Sequence, residues 1–445
     1  MLPVFALLGE ILRTLWTGLF GWLRHPQFIY FPVMLTLVIS MVTRQHARQA
    51  SLEEHLFGEA FSNPMRQVLT SLGFGFLGGL FASTLMFFLG VALSEELGII
   101  YVWPVVLVLM LINPRFMCFA YGGGVVGAIS LLLRALAGVW PGLRNVGLLA
   151  GFMAIDISSL MALVALLHLT ESLLILISGH INASPVAVRG PGGRIVGGFM
   201  LQRFWPLPMA ALFAAAVGMS ELGDGVLTMP DWWPLLRPAV ELDPEMVLLF
   251  FPMPIIAALG YSDIAVSSTP KAKSRWSARN LMAYSLALLL LAILSGRWTQ
   301  LQIAAVLLAP LGHEYLIQAG NRREWAGRPL YSAPERGVKL LAVMPNSAAQ
   351  AVGLGEGWII TNVNGMEVNS RWDLANALQL FPGLAEIEAV SPRGETRVFR
   401  IHQRQGKLGL VPVPDSSQHS PYLRLDHKGF FLRLWDKLKN RRSGA

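Results

Sequence analysis

Charge is scarce in this chain: Asp, Glu, Lys and Arg make up 14% of its 445 residues, against about 25% in soluble globular proteins. A chain so poor in charge cannot keep most of its surface in water, which excludes a wholly soluble protein. Cysteine occurs once, as Cys118 in an apolar stretch, which excludes an internal disulfide and any cluster of cysteines around a metal. A cleavable signal peptide is not expected, because Glu10 and Arg13 interrupt the first apolar stretch and no small-residue cleavage site follows it. No Ser-His-Asp constellation, nucleophile elbow, phosphate loop or fixed-period repeat is visible. His313-Glu314 fails as a zinc-protease motif, since the second histidine belongs one turn later and that position is Ile317. The pair is expected at the inner end of the last span, hydrogen-bonded to neighbouring helices or headgroups. No catalytic residue, metal, cofactor or nucleic acid enters the reading.

Apolar residues are abundant, at 54%, and the mean hydropathy is +0.52. They cluster in near-continuous runs, several close to the length that crosses a bilayer. Leu2–Leu23 is either a first span or a helix lying in the interface. Clearer spans are expected at Phe28–Val42, Gly73–Leu93, Ile99–Leu111, Met117–Leu133, Leu148–Leu167, Trp205–Val217, Met246–Gly260, Met282–Gly296 and Leu301–Gln318. A bend is expected at Asn113-Pro114. The expectation is a polytopic α-helical membrane bundle of about eight to ten spans. The glycine groups GFGFLGG and YGGGVVG lie inside spans, where small residues let helices approach closely. Asp156, His168 and Glu171 are ionisable groups in or beside a span, which either line a transport path or satisfy polar partners in the bundle.

The loops suggest an orientation. His180–Trp205 holds Arg189, Arg194 and Arg203 with no acid, and Ser262–Arg279 holds Lys271, Lys273, Arg275 and Arg279 against Asp263. Between them Ser220–Glu245 is acidic, with Arg237 its one base. Inside, outside, inside fits this alternation, and two further spans return the chain to the inner side at Asn321-Arg322-Arg323. The C-terminal region is therefore expected in the cytoplasm.

Three regions follow: a multi-span domain over residues 1–326, a soluble domain over 327–415 and a basic tail over 416–445. In the soluble domain Gly337–Val343 reads as a strand, and Asn346 or Ser347 caps a short helix that Gly353 ends. Trp358–Val363 is a strand leading to a hairpin turn at Asn364-Gly365. Ser370 and Asp373 open a second helix carrying Leu374, Ala377, Leu378 and Phe381; three further strands follow. In the tail, Phe430, Phe431, Leu434, Trp435 and Leu438 share one helical face among lysines and arginines. That suits a helix on anionic lipid; a helix packed on a partner and a disordered basic end are the alternatives.

The string GVKLLAVMPNSAAQAVGLGEGWIITNVNGMEVNSRWDLANAL resembles the bacterial PDZ family in its permuted α+β form. Trp358 departs from the family pattern, where an aspartate usually follows the glycine. PDZ domains bind an extended peptide as an added strand at an open sheet edge. The resemblance implies a carboxylate-binding loop at Lys407-Leu408-Gly409-Leu410 and an opposite wall at Arg371, Ala375 and Leu378. The alternative for Leu408–Leu410 is a plain edge strand. Over nearly the whole chain the order HPQFIYFPVMLTLVI, RGPGGRIVGGFMLQRFWPLP, LGYSDIAVSSTPKAKSR and LLAPLGHEYLIQAGNRREW before the PDZ segment resembles the MinJ family of Bacillus-type, Gram-positive bacteria. That resemblance implies a non-enzymatic scaffold of the Min system in cell division and septation, at the cell poles and septum. It would bridge the polar protein DivIVA and the inhibitor MinC/MinD. RGPGGRIVGGFMLQRFW is a second candidate contact surface. The rival classes are a membrane protease or protease regulator and a transporter with an accessory PDZ domain.

Overall fold

In the computed structural model the described residues are 4–58, 60–190, 193–219, 227, 229–236, 243–380, 382–402 and 408–414. The tail and its five apolar positions, Lys407, Phe381 and most of the acidic 220–245 stretch lie outside them. The membrane domain runs α1 (Val4–Phe20), α2 (Tyr30–Phe57), α3 (Pro64–Leu89), α4 (Ile99–Ile112), α5 (Phe119–Val139), α6 (Gly147–Ala154) and α7 (Ile157–Ser178). It continues through β1 (Ser184–Arg189), β2 (Ile195–Gly218), β3 (Met246–Ala265), α8 (Pro270–Ser295) and α9 (Leu301–Ala326).

Among the described residues seven helices are long and apolar enough to cross a membrane: α1, α2, α3, α5, α7, α8 and α9. The expected eight to ten is corrected for three reasons. First, α4 has 14 residues, short of the roughly 20 a span needs. Second, the Leu148–Leu167 run is broken: Asp156 is the N-cap of α7, its carboxylate accepting from the N–H groups of Ser158 (3.0 Å) and Ser159 (3.2 Å). Third, Trp205–Val217 and Met246–Gly260 are not helices but the paired strands β2 and β3, in register from Phe199↔Ala265 to Gly218↔Met246.

The prolines explain the third correction. Pro206 and Pro208 in β2, and Pro252 and Pro254 in β3, sit two apart. In a helix each would remove a hydrogen bond and clash with the preceding turn, at a cost of about 3 kcal/mol or more. In a strand, residues two apart share an edge, so both missing N–H groups of each pair fall on the same side. Beyond the prolines, three groups on that edge of β2 have partners from neighbouring elements, as an apolar surrounding favours. Ala210 N–H donates to Ser83 Oγ (2.9 Å), Ala214 N–H donates to the Leu93 carbonyl (3.2 Å) and Leu93 N–H donates to the Leu212 carbonyl (2.7 Å). On β3 the Pro254 carbonyl accepts from Tyr30 Oη (2.9 Å).

Helix α3 lies directly on β2. A Cβ on Gly75 or Gly79 would collide with the carbonyl oxygens of Pro206 and Pro208, so the GFGFLGG group serves a helix–strand contact as well as a helix–helix one. Helix α7, apolar all round, is the most enclosed of the seven, with 72% of its span window buried.

The basic stretch read as a loop is the β1–β2 hairpin. Leu201 and Trp205 are fully buried there and Arg203 is 2% exposed, so the part of RGPGGRIVGGFMLQRFW from Val196 onward is largely core, while Arg189, Gly193 and Arg194 are exposed. Lys273 is likewise not a loop charge. It sits 1% exposed in α8, 3.2 Å from Asp263 of β3. Nearby, the buried Glu324 of α9 accepts from the N–H groups of Val266 (3.0 Å) and Ser267 (2.9 Å) and from Ser268 Oγ (2.6 Å). These contacts tie the end of β3 to the bases of α8 and α9.

The C-terminal domain comprises β4 (Val338–Val343), α10 (Ala348–Ala351), β5 (Ile359–Val363), β6 (Met366–Glu367), α11 (Arg371–Leu380), β7 (Leu384–Val390), β8 (Thr396–His402) and β9 (Leu410–Pro412). Its sheet has the order β8-β7-β5-β4-β9, with β6 paired to β5. Asn364 (φ 51°) and Gly365 (φ 84°) make the β5–β6 turn, the positive-φ pair that a two-residue hairpin demands. The sheet packs on its own core of Val338, Leu340, Ile360, Leu374, Ile387 and Leu408. Its outer face docks on the membrane domain. Leu341, Met344, Val411 and Val413 join the large core cluster, and Gly197 N–H donates to the Tyr331 carbonyl (2.8 Å).

Candidate functional site

Two places bring chemistry-bearing residues together. The first is the β9 end of the C-terminal sheet. Strand β9 pairs with β4 through Val343↔Leu410, Ala342↔Val411 and Leu340↔Pro412. It is the last strand in the sheet order, with no strand on its outer side among the described residues. Just before it, Gly409 has φ +75°, and a Cβ there would collide with the Ser347 side chain and lie 3.0 Å from Met344 Cβ. Its carbonyl accepts from Met344 N–H (2.8 Å), and the Leu408 carbonyl accepts from Ala349 N–H (3.3 Å). The loop is thereby fixed against the start of α10, and only glycine fits it.

On α11, Ala375 is exposed and Arg371 and Leu378 are half-buried. Leu378 and Leu410 pack against the same core that holds Leu408. Leu408, Leu410 and Leu378 thus share the core of the C-terminal sheet, with Gly409 between the first two and Ala375 exposed on the same helix as Leu378.

Helix α11 is set by a capping box. Asp373 N–H donates to Ser370 Oγ (3.1 Å), while Asp373 Oδ2 accepts from the N–H groups of Ser370 (2.8 Å) and Asn369 (3.1 Å). Hydrogen bonding from Ser370 and the Asn369 N–H holds this carboxyl below the usual aspartate range. A lowered folded pKa contributes stability that is complete above the ordinary value of about 3.9 and is lost as pH falls through the lowered one. Ser370→Ala is expected to cost about 1 kcal/mol. Asp373→Asn is expected to flatten the acid limb of the domain's unfolding profile, which tryptophan fluorescence of Trp358 and Trp372 across acidic pH would read.

The second place lies inside the helical bundle. Cys118 caps α5, its Sγ 3.4 Å from Ala120 N–H. It meets His168 of α7, with Sγ to Nε2 3.2 Å, and His313 of α9, with Sγ to Nε2 3.9 Å. The YGGGVVG group makes this possible. A Cβ on Gly124 would press on the Pro310 ring of α9 at 2.5 Å, and one on Gly123 would reach Val164 of α7 at 3.0 Å. His168 Nδ1 lies 2.7 Å from the Val164 carbonyl. A carbonyl only accepts, so Nδ1 carries the proton and the Nε2 lone pair faces the sulfur.

His313 is therefore not at the inner end of the last span but near the middle of α9. Its neighbour Glu314 accepts from Tyr121 Oη (2.7 Å) and Gln318 Nε2 (2.7 Å) and pairs with Arg115 (3.0 Å). The sequence singles out each of the three donors separately. It does not join them, because Cys118 is 50 residues from His168 and 195 from His313.

This is a multi-pass membrane protein whose apolar helices pack against a long β-hairpin and carry a C-terminal antiparallel sheet that ends, among the described residues, in β9. No family model matches the chain. It is 25% identical over 416 residues, 92% of its own length and 96% of the relative's, to the cell division topological determinant MinJ of Bacillus subtilis strain 168. The similarity to that protein extends over almost the full length of both chains.

Proposed function

We propose that the protein is a membrane-anchored determinant of division-site placement that works as a scaffold, not as an enzyme. Similarity to a cell division topological determinant over 92% of the chain carries the reading. In this reading the C-terminal sheet is a PDZ domain on the cytoplasmic side. It captures an extended segment of a partner as a strand added beside β9, with Leu408, Gly409 and Leu410 at the segment's end and Arg371, Ala375 and Leu378 as the facing wall. Lys407 adds a favourable charge for a terminal carboxylate. The partners are division proteins, DivIVA on one side and MinC/MinD on the other, so the protein sits at poles and septum. The basic tail, through Phe430, Phe431, Leu434, Trp435 and Leu438, holds the domain near anionic lipid.

Main-chain hydrogen bonds along an edge supply affinity, and pockets beside it supply specificity, so a scaffold of this kind needs no catalytic centre. A cross-linking pull-down from native membranes tests it. The intact protein should recover MinD or DivIVA. Ala375→Trp, which places bulk at an exposed position of α11 without touching the core, should lose at least about tenfold of that recovery. Unchanged recovery, or peptide-bond hydrolysis by the purified protein, would refute the reading.

A further inference from the structure

Cys118, His168 and His313 carry an inference independent of the division role. Their donor atoms, one sulfur and two ring nitrogens, all lie within 4.8 Å of one another, and each comes from a different helix. We propose that they form an intramembrane binding site for one divalent cation of the zinc class, which clasps α5, α7 and α9 together.

Four observations support this. Tetrahedral zinc with Zn–N of about 2.0–2.1 Å and Zn–S of about 2.3 Å spaces neighbouring donors at about 3.4–3.6 Å. The sulfur-to-nitrogen separations here, 3.2 and 3.9 Å, bracket that value, and with all three donors within 4.8 Å of one another the two nitrogens have at most about 1.4 Å to close when the ion enters. The donor types, a thiolate and two imidazoles, suit a borderline-soft cation and not magnesium or calcium.

His168 is also oriented as a ligand. Its Nδ1–H is held by the Val164 carbonyl, the outer contact that fixes the tautomer of metal-binding histidines. Finally, the nearby hydroxyls are already committed, Tyr121 to Glu314 and Tyr284 to the Ala309 carbonyl. Neither competes for the ion, and a water completes the fourth position.

The rival chemistry for a cysteine beside a histidine is a nucleophile–base pair. Such a pair needs one imidazole, and it leaves the second one, converging on the same sulfur from α9, without a role. Metal binding uses all three. On binding, the thiol proton is released and the cation's charge is partly neutralised by the thiolate. Glu314, adjacent to His313 and bonded across to Tyr121 of α5, lies beside the site with its charge paired to Arg115.

The test uses the full-length protein, metal-stripped, in lipid nanodiscs. Titration with Co²⁺ should give a thiolate-to-cobalt charge-transfer band and tetrahedral ligand-field bands, saturating at one ion per chain and displaced by Zn²⁺. Cys118→Ser should abolish the charge-transfer band. His313→Gln should weaken binding by at least about tenfold, as the loss of even an outer-sphere partner does. On the unaltered protein, Zn²⁺ should raise the thermal midpoint and protect Cys118 from maleimide, and a chelator should reverse both. A folded protein that shows no charge-transfer band and no protection would overturn the proposal. So would a band that persists in Cys118→Ser. Neither outcome touches the division role, which the pull-down reads separately.

Discussion

Asp263→Ala is expected to destabilise the membrane domain by about 3–5 kcal/mol, because it leaves a buried ammonium without its counter-charge. Lys273 is 1% exposed, and its Nζ lies 3.2 Å from Asp263 Oδ1. The same carboxylate accepts from Ser277 Oγ (2.8 Å), Tyr261 Oη (3.2 Å) and Ile264 N–H (2.9 Å). Removing it strips four donors at once. Removing both charges is different, since a buried ion pair replaced by apolar residues of similar volume is often neutral or stabilising. The double variant Asp263→Leu with Lys273→Met should therefore recover most of the loss. Thermal unfolding of the protein in detergent, followed by size-exclusion of the surviving folded fraction, measures the cycle. A single variant as stable as the parent would mean that Lys273 reaches water.

Gly79→Leu is the second large effect. Ordinary overpacking of a core costs about 1–3 kcal/mol, and it is absorbed by side chains that turn aside. At Gly79 the obstacle is the Pro208 carbonyl, part of a strand whose other edge is fixed by pairing with β3. Backbone cannot turn aside, so the expected cost exceeds the usual range, and the variant should fail to yield folded, monodisperse protein. Gly73→Leu supplies the control on the same helix. A Cβ there meets nothing within 4 Å, and the variant should match the parent. Equal yields of the two variants would contradict the contact between α3 and β2.

These sites show how much of the architecture is local in the sequence. Helices α2, α3, α5, α8 and α9 coincide with long apolar runs, and the bend between α4 and α5 falls at Asn113-Pro114. Turn chemistry is equally local, so the Asn364-Gly365 hairpin and the Ser370–Asp373 cap occur where those residues stand. The β2–β3 hairpin is not legible as such, because an apolar run of that length looks alike in either backbone state. The sign that separates them is proline at alternate positions, Pro206 with Pro208 and Pro252 with Pro254, which a helix interior does not accept.

What no local pattern reveals is convergence. The intramembrane cluster depends on three helices meeting at the glycines of α5. The pairing of Asp263 with Lys273 depends on β3 ending against α8. In the candidate groove Leu408 and Gly409 lead into β9, which begins at Leu410, is last in the chain order and pairs with β4, the first strand of its sheet. A PDZ resemblance anticipates that return, but composition and periodicity alone do not.

The central claim is that the β9 edge beside α11 receives a segment of a division protein. A photo-cross-linking residue at Ala375, exposed on α11, tests it in dividing cells, with the same residue at Val398 on β8 as the control. Val398 is 58% exposed on the opposite edge of the sheet. The account predicts a cross-link from position 375 to a division protein and none from 398. Equal capture at both positions, or capture at 398 alone, would contradict it.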